Sequence, residues 1–92
     1  MTDALRWRVE FDPDAAKELR KLGKPAQDMI LRYLRQRIAT DQDPRRFGKA
    51  LTDDMAGLWR YRIADHRLIA AFEEDRFTVL VLRVGHRREI YD

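Results

Sequence analysis

Residues 58–84 read LWRYRIADHRLIAAFEEDRFTVLVLRV, and the fold turns on this stretch. It holds three apolar-rich runs, Leu58 to Ile63, Arg67 to Phe72 and Phe77 to Val84, separated by Ala64-Asp65-His66 and by Glu73-Glu74-Asp75-Arg76. Runs of this length, rich in aromatic and β-branched residues and divided by short polar turns, predict an antiparallel meander of three strands. Neighbouring side chains of a strand point to opposite faces, so Trp59, Tyr61 and Ile63 share one side while Arg60 and Arg62 share the other. The first side needs an apolar cover, and the two guanidiniums point away from it.

The cover is encoded upstream. Leu5 to Phe11 alternates, with Leu5, Trp7, Val9 and Phe11 on one side and Arg6, Arg8 and Glu10 on the other, which predicts a half-buried strand. Asp12 can accept from an early helix N–H and Pro13 suits the first helical position, so a helix begins there. Ala15, Ala16, Leu19 and Leu22 keep the helical period, and Gly23 is expected to close the helix in the left-handed conformation. From Pro25 a second helical pattern runs through Met29, Ile30, Tyr33, Leu34 and Ile38, with Arg32, Arg35, Gln36 and Arg37 outward. So tight a turn implies an antiparallel helix hairpin. Ala39 to Gly57 reads as a long polar connection with an apolar touch at Phe47 and Leu51. The expected fold is therefore α+β, a single domain spanning residues 1–92. Its order is β-α-α-β-β-β, with the hairpin on one face of an antiparallel sheet of about four strands and the opposite face left uncovered.

Composition narrows the chemistry. The 92 residues carry 19 basic and 16 acidic side chains, a formal charge of +3, and 15 of the 19 cations are arginine. Guanidinium is suited to bidentate phosphate contacts and to surface ion pairs, so the bias favours a phosphate-bearing partner. Cysteine and serine are absent, and the two histidines are not at helical spacing, so neither a metal site nor a serine nucleophile is expected. The four glycines stand apart, so no nucleotide cofactor is implied. No apolar run approaches the length of a membrane span or the core of a signal peptide, and the expected compartment is the cytoplasm.

What remains is arginine on adjacent strands. Arg60, Arg62, Arg67 and Arg87 would repel one another unless carboxylates or an anion neutralise them, with Arg83 and Arg88 close in sequence. One reading is a solvated face paired with Asp65, Glu73 and Glu89. The other is an RNA phosphate site, in which arginines, a histidine and a tyrosine supply charge, proton transfer and stacking.

The run Gly48-Lys49-Ala50-Leu51, the strand Gly57 to Arg62, the turn and strand Asp65-His66-Arg67-Leu68-Ile69, and the ending Val84-Gly85-His86-Arg87-Arg88-Glu89-Ile90-Tyr91 together resemble the RelE/ParE superfamily of type II toxin–antitoxin toxins. The ending is closer to the RelE branch. The resemblance implies a ribosome-dependent mRNA endoribonuclease that cuts A-site codons by attack of the RNA's own 2′-OH on the adjacent phosphate, without metal or cofactor. It also implies a cognate RelB-like antitoxin, with the ribosome and mRNA as further partners and no sequence-specific DNA binding by this chain. By the same resemblance Arg67 and Arg87 match arginines on the scissile phosphate and Tyr91 matches a tyrosine near the C-terminus. Arg60 and Arg62 stand where the best-known members carry lysines, and arginine cannot serve as a base, so they are expected to bind RNA and stabilise charge. His86 is the best titratable candidate for the base, or else simply a turn residue after Gly85. Arg32, Arg35 and Arg37 read as a solvated face or a second basic stripe for ribosomal RNA. The alternative function is a ParE-like inhibitor of DNA gyrase with no enzymatic step.

Overall fold

In the computed structural model, which describes residues 6–88 and residue 90, the helix start at Asp12-Pro13 forms as its chemistry dictates. The Asp12 carboxylate accepts from the Asp14 N–H at 3.0 Å, and α1 runs Pro13–Lys21 with Ala15 and Leu19 buried. Its end differs from the expected left-handed glycine, because Leu22 and Gly23 are both extended, with ψ near 157° and 158°. The side-chain amide of Gln27 covers the freed carbonyls instead, donating to Leu22 O at 2.6 Å and Arg20 O at 3.4 Å. The second helix, α2, runs Lys24–Tyr33 and passes into a single π turn at Leu34–Ile38.

The strands are β1 (Arg8–Phe11), β2 (Lys49–Ala50), β3 (Trp59–Ile63), β4 (His66–Glu73) and β5 (Thr78–His86). The meander forms as read, with β3–β4 and β4–β5 antiparallel. Two features correct the expected sheet. It has five strands in the order β1-β5-β4-β3-β2, and it is mixed, since β1 lies parallel to β5 with Arg8 opposite Thr78 and Phe11 opposite Val81. The cause is the path of the chain. After β1 the helices carry it across one face, it re-enters at the far edge as β2 running the opposite way, and three antiparallel reversals return β5 beside β1 in the same direction.

The first strand is also shorter than its alternation suggested. Leu5 lies outside the described residues, and Trp7 turns its N–H to Thr40 O at 2.8 Å because β5 begins only at Thr78. The long connection carries structure of its own: 3₁₀ turns at Pro44–Phe47 and Asp53–Met55 flank β2.

The core lies between helices and sheet, where Ala15, Leu19, Ile30, Leu34 and Ile38 meet Tyr61, Ile63, Leu68, Ala70, Val79, Val81 and Val84. Val79 and Val84 differ in parity, yet both are buried. A bulge reconciles them: Ile69 pairs with Arg83 but Ala70 with Val81, so Leu82 is the extra residue and the alternation of β5 flips there. Beyond Val81, β1 no longer covers the edge of β5. There α1 takes over, with the Glu18 carboxylate accepting from Val84 N–H at 2.8 Å and pairing with Arg83 Nε at 3.2 Å.

Candidate nucleic-acid interface

Register determines which side chains share the face away from the helices. Lys49 is opposite Arg60, Arg60 opposite Ile69, Arg62 opposite Arg67, and Arg67 opposite Gly85, so these residues form two neighbouring rungs on one face, the first from β2 to β4 and the second from β3 to β5. Cross-strand partners stand on the same side of a sheet. A run of four cations, Lys49, Arg60, Arg62 and Arg67, therefore lies on that face.

The face is less bare than the sequence suggested. Ile69 is 1% exposed, Arg60 6% and Arg67 7%, while Arg62 and Lys49 are exposed. Arginine stems lie flat on a sheet and shield apolar neighbours while their guanidiniums stay polar, which accounts for a buried isoleucine among cations. Arg67 Nη1 donates back to the turn, to His66 O at 3.1 Å and Ala64 O at 3.4 Å. Those bonds hold its guanidinium at the β3–β4 turn.

At the end of the sheet the turn after β5 is tied to the β3–β4 turn by Arg87 N–H donating to Asp65 O at 2.8 Å. Arg87 and Arg88 are exposed there, beside the Arg62–Arg67 rung. At the other end, a cleft of about 630 Å³ opens between the 49–55 segment and Arg60. The loop forming it turns at Gly57, whose φ of +91° a side chain would strain.

The structure thus brings Arg60, Arg62, Arg67 and Arg87 together. It places His86 differently. His86 pairs with His66, and the two rings meet edge to face at 5.9 Å, on the parity of Leu68 and Val84 rather than that of the arginines. His86 Nδ1 accepts from Arg88 N–H at 3.3 Å, so a neutral ring carries its proton on Nε2. Accepting a proton at Nδ1 requires the 86–88 turn to release that bond. Tyr91 and Glu89 lie outside the described residues. Of the expected partners, Glu73 pairs with Arg76, and Arg83 pairs with Glu18 on α1.

Lys49 is the site residue that sequence reasoning missed. Its signal was its partner, because only the pairing of β2 with β3 places it beside Arg60, and a two-residue strand shows no alternation to read.

The chain is similar to known proteins over most of its length. A model of the ParE toxin of type II toxin–antitoxin systems matches residues 9–91. Toxin RelG of Mycobacterium tuberculosis is 29% identical over 85 residues, covering 92% of this chain and 95% of the relative. Toxin RelE of the same organism is 24% identical over 91 residues, covering 99% of this chain and 92% of the relative. Among solved structures, the RelBE2 toxin–antitoxin complex of M. tuberculosis superposes with a TM-score of 0.82 at 28% identity, covering 90% of this chain and all (100%) of that one. The isolated RelE toxin of E. coli shares the fold with a TM-score of 0.68 at 21% identity, covering 87% of this chain and 83% of that one.

Proposed function

The chain belongs to the RelE/ParE superfamily of type II toxin–antitoxin toxins, and from that premise we propose that it is a ribosome-dependent mRNA endoribonuclease. The observation that carries the reading is the row of cations Lys49, Arg60, Arg62 and Arg67 on one sheet face, extended by Arg87 at its end.

In the proposed reaction the RNA supplies its own nucleophile. The 2′-oxygen forms a bond to the adjacent phosphorus, the bond from phosphorus to the 5′-oxygen breaks, that oxygen takes a proton from water, and the products are a 2′,3′-cyclic phosphate and a 5′-hydroxyl. The phosphate gains negative charge on the way to the transition state, and fixed cations stabilise that state more than the ground state. Arg62 and Arg87, both exposed, contact the phosphate oxygens, while Arg60 and Arg67, held in the sheet surface, keep the potential positive beneath them. The cleft beside Arg60 gives room to a neighbouring nucleotide. The proton leaving the 2′-OH goes to Tyr91, since His86 stands on the opposite parity from the arginines. The partner that silences the site is a cognate RelB-like antitoxin.

The test is in vitro translation with primer-extension mapping of mRNA ends, run with the parent and with Arg62→Gln/Arg87→Gln. The expected result is cuts within A-site codons that fall about a hundredfold or more in the double variant. A second reading, an inhibitor of DNA gyrase, is favoured by the match to the ParE toxin model. Intact mRNA together with blocked supercoiling in a parallel gyrase assay would establish that reading instead.

A further inference from the structure

A second group of cations lies away from the arginine row, where the π turn meets the 3₁₀ turn at Pro44–Phe47. Arg37 approaches the ring of Phe47 at 5.4 Å and Arg46 approaches the same ring at 4.5 Å, while Arg37 also lies 5.8 Å from the ring of Tyr33. Two like charges are thus held on one half-buried phenylalanine. Neither has an ion pair among the described residues. Of the nearby acids, Asp43 is committed to Arg45 at 3.1 and 3.3 Å, and Asp41 accepts from Gln42 at 3.4 Å.

The backbone here is unusual as well. The π turn closes with Ala39 N–H donating to Leu34 O at 2.8 Å. It keeps Leu34 and Ile38 buried while turning Arg35, Gln36 and Arg37 to solvent. Single π turns are rare overall and are frequently found at functional sites. Arg32 and Arg35, exposed on the same stretch and likewise without an ion pair among the described residues, extend the charge along the helix.

We infer that Arg37 and Arg46, stacked on Phe47, form a second RNA-binding site, which grips the phosphate backbone of ribosomal RNA while the arginine row engages the mRNA. Stacking on an aromatic ring fixes the plane of a guanidinium and leaves its N–H edge outward, the geometry that meets a phosphate with two parallel bonds. An anion bridging the pair relieves their mutual repulsion. The inference rests on the ribosome being the site of action, and it assigns these residues to binding rather than to chemistry.

The test compares the parent with Arg37→Gln/Arg46→Gln, both checked for an unchanged thermal midpoint. Binding to mRNA-programmed 70S ribosomes is measured by co-sedimentation across a salt series, and cleavage by single-turnover assay at saturating ribosomes. The expected variant binds at least tenfold more weakly, its log affinity against log salt is shallower by about one to two, and its saturated cleavage rate is unchanged. Equal affinity and salt slope in a folded variant would overturn the site while leaving the nuclease reading intact. A parent that binds but does not cut, with the variant still weakened, would retire the nuclease and keep the site. A parent that does not bind ribosomes overturns the site, as does a variant that loses only antitoxin binding, which would make the pair a protein contact.

Discussion

Tyr61 is 1% exposed, and its hydroxyl donates to Pro44 O at 2.8 Å, fastening the loop before β2 to the middle of β3. A β-carbon on Gly48 would stand 3.2 Å from the ring, so glycine there lets the chain pass over the aromatic face. Removing the hydroxyl leaves a buried carbonyl without its donor, and Tyr61→Phe is expected to lower stability by about 1–2 kcal/mol in urea titration. Burial raises the Tyr61 pKa above the usual phenol value, with smaller contributions from Tyr33 and Asp43, and burial also raises Tyr33 against the opposing effect of Arg37. A group whose pKa rises on folding contributes stability that is complete below its unfolded value, near pH 10, and is lost as the pH climbs toward the folded value. Alkaline unfolding should therefore steepen above about pH 10 in the parent and less so in Tyr61→Phe, as followed by circular dichroism. The inward parity of Tyr61 was legible from its alternation with Arg60 and Arg62. Its acceptor was not, because Pro44 lies 17 residues away and pairs with it only through the fold.

The β3–β4 connection is a two-residue hairpin in which Ile63 faces His66 and Ala64 adopts φ +53°. Turns of this kind usually place glycine where φ is positive, because a β-carbon clashes with the neighbouring carbonyl. Ala64→Gly should accordingly stabilise the chain by about 0.5–1 kcal/mol, read as a higher denaturant midpoint at constant slope. The same turn supplies the carbonyl that receives Arg67 and the one that receives Arg87, so tightening it firms the end of the cationic row. Elements with a long, clean period were the legible ones: α1, the meander, and the parity that sorts arginines from aromatics. Three were not, each for a physical reason. A two-residue β2 has no period, the π turn shares the α-helical pattern for five residues, and the bulge at Leu82 inverts an alternation that reads as unbroken.

Across the whole molecule the modest charge of +3 conceals two concentrations of positive charge, the row on the sheet and the stack on Phe47. Binding through phosphate contacts should be strongly salt-dependent. On the proposed function, the four exposed cations at the sheet face, Lys49, Arg62, Arg87 and Arg88, should make affinity for single-stranded RNA fall on the order of fiftyfold between 50 and 200 mM salt. Filter binding across that range checks it, and a flat profile would mean that the face is not a phosphate surface. The arginines of the face could be named from sequence, but their division into buried Arg60 and Arg67 and exposed Arg62 and Arg87 could not, since it depends on which strand lies beside which. That neighbourhood turns on β5, the last of the strands among the described residues yet the one lodged between β1 and β4. A chain still being synthesised holds β1 with no strand partner, and β4 paired with β3 alone, until residues 78–86 have emerged, so the sheet closes through a pairing of strands far apart in sequence.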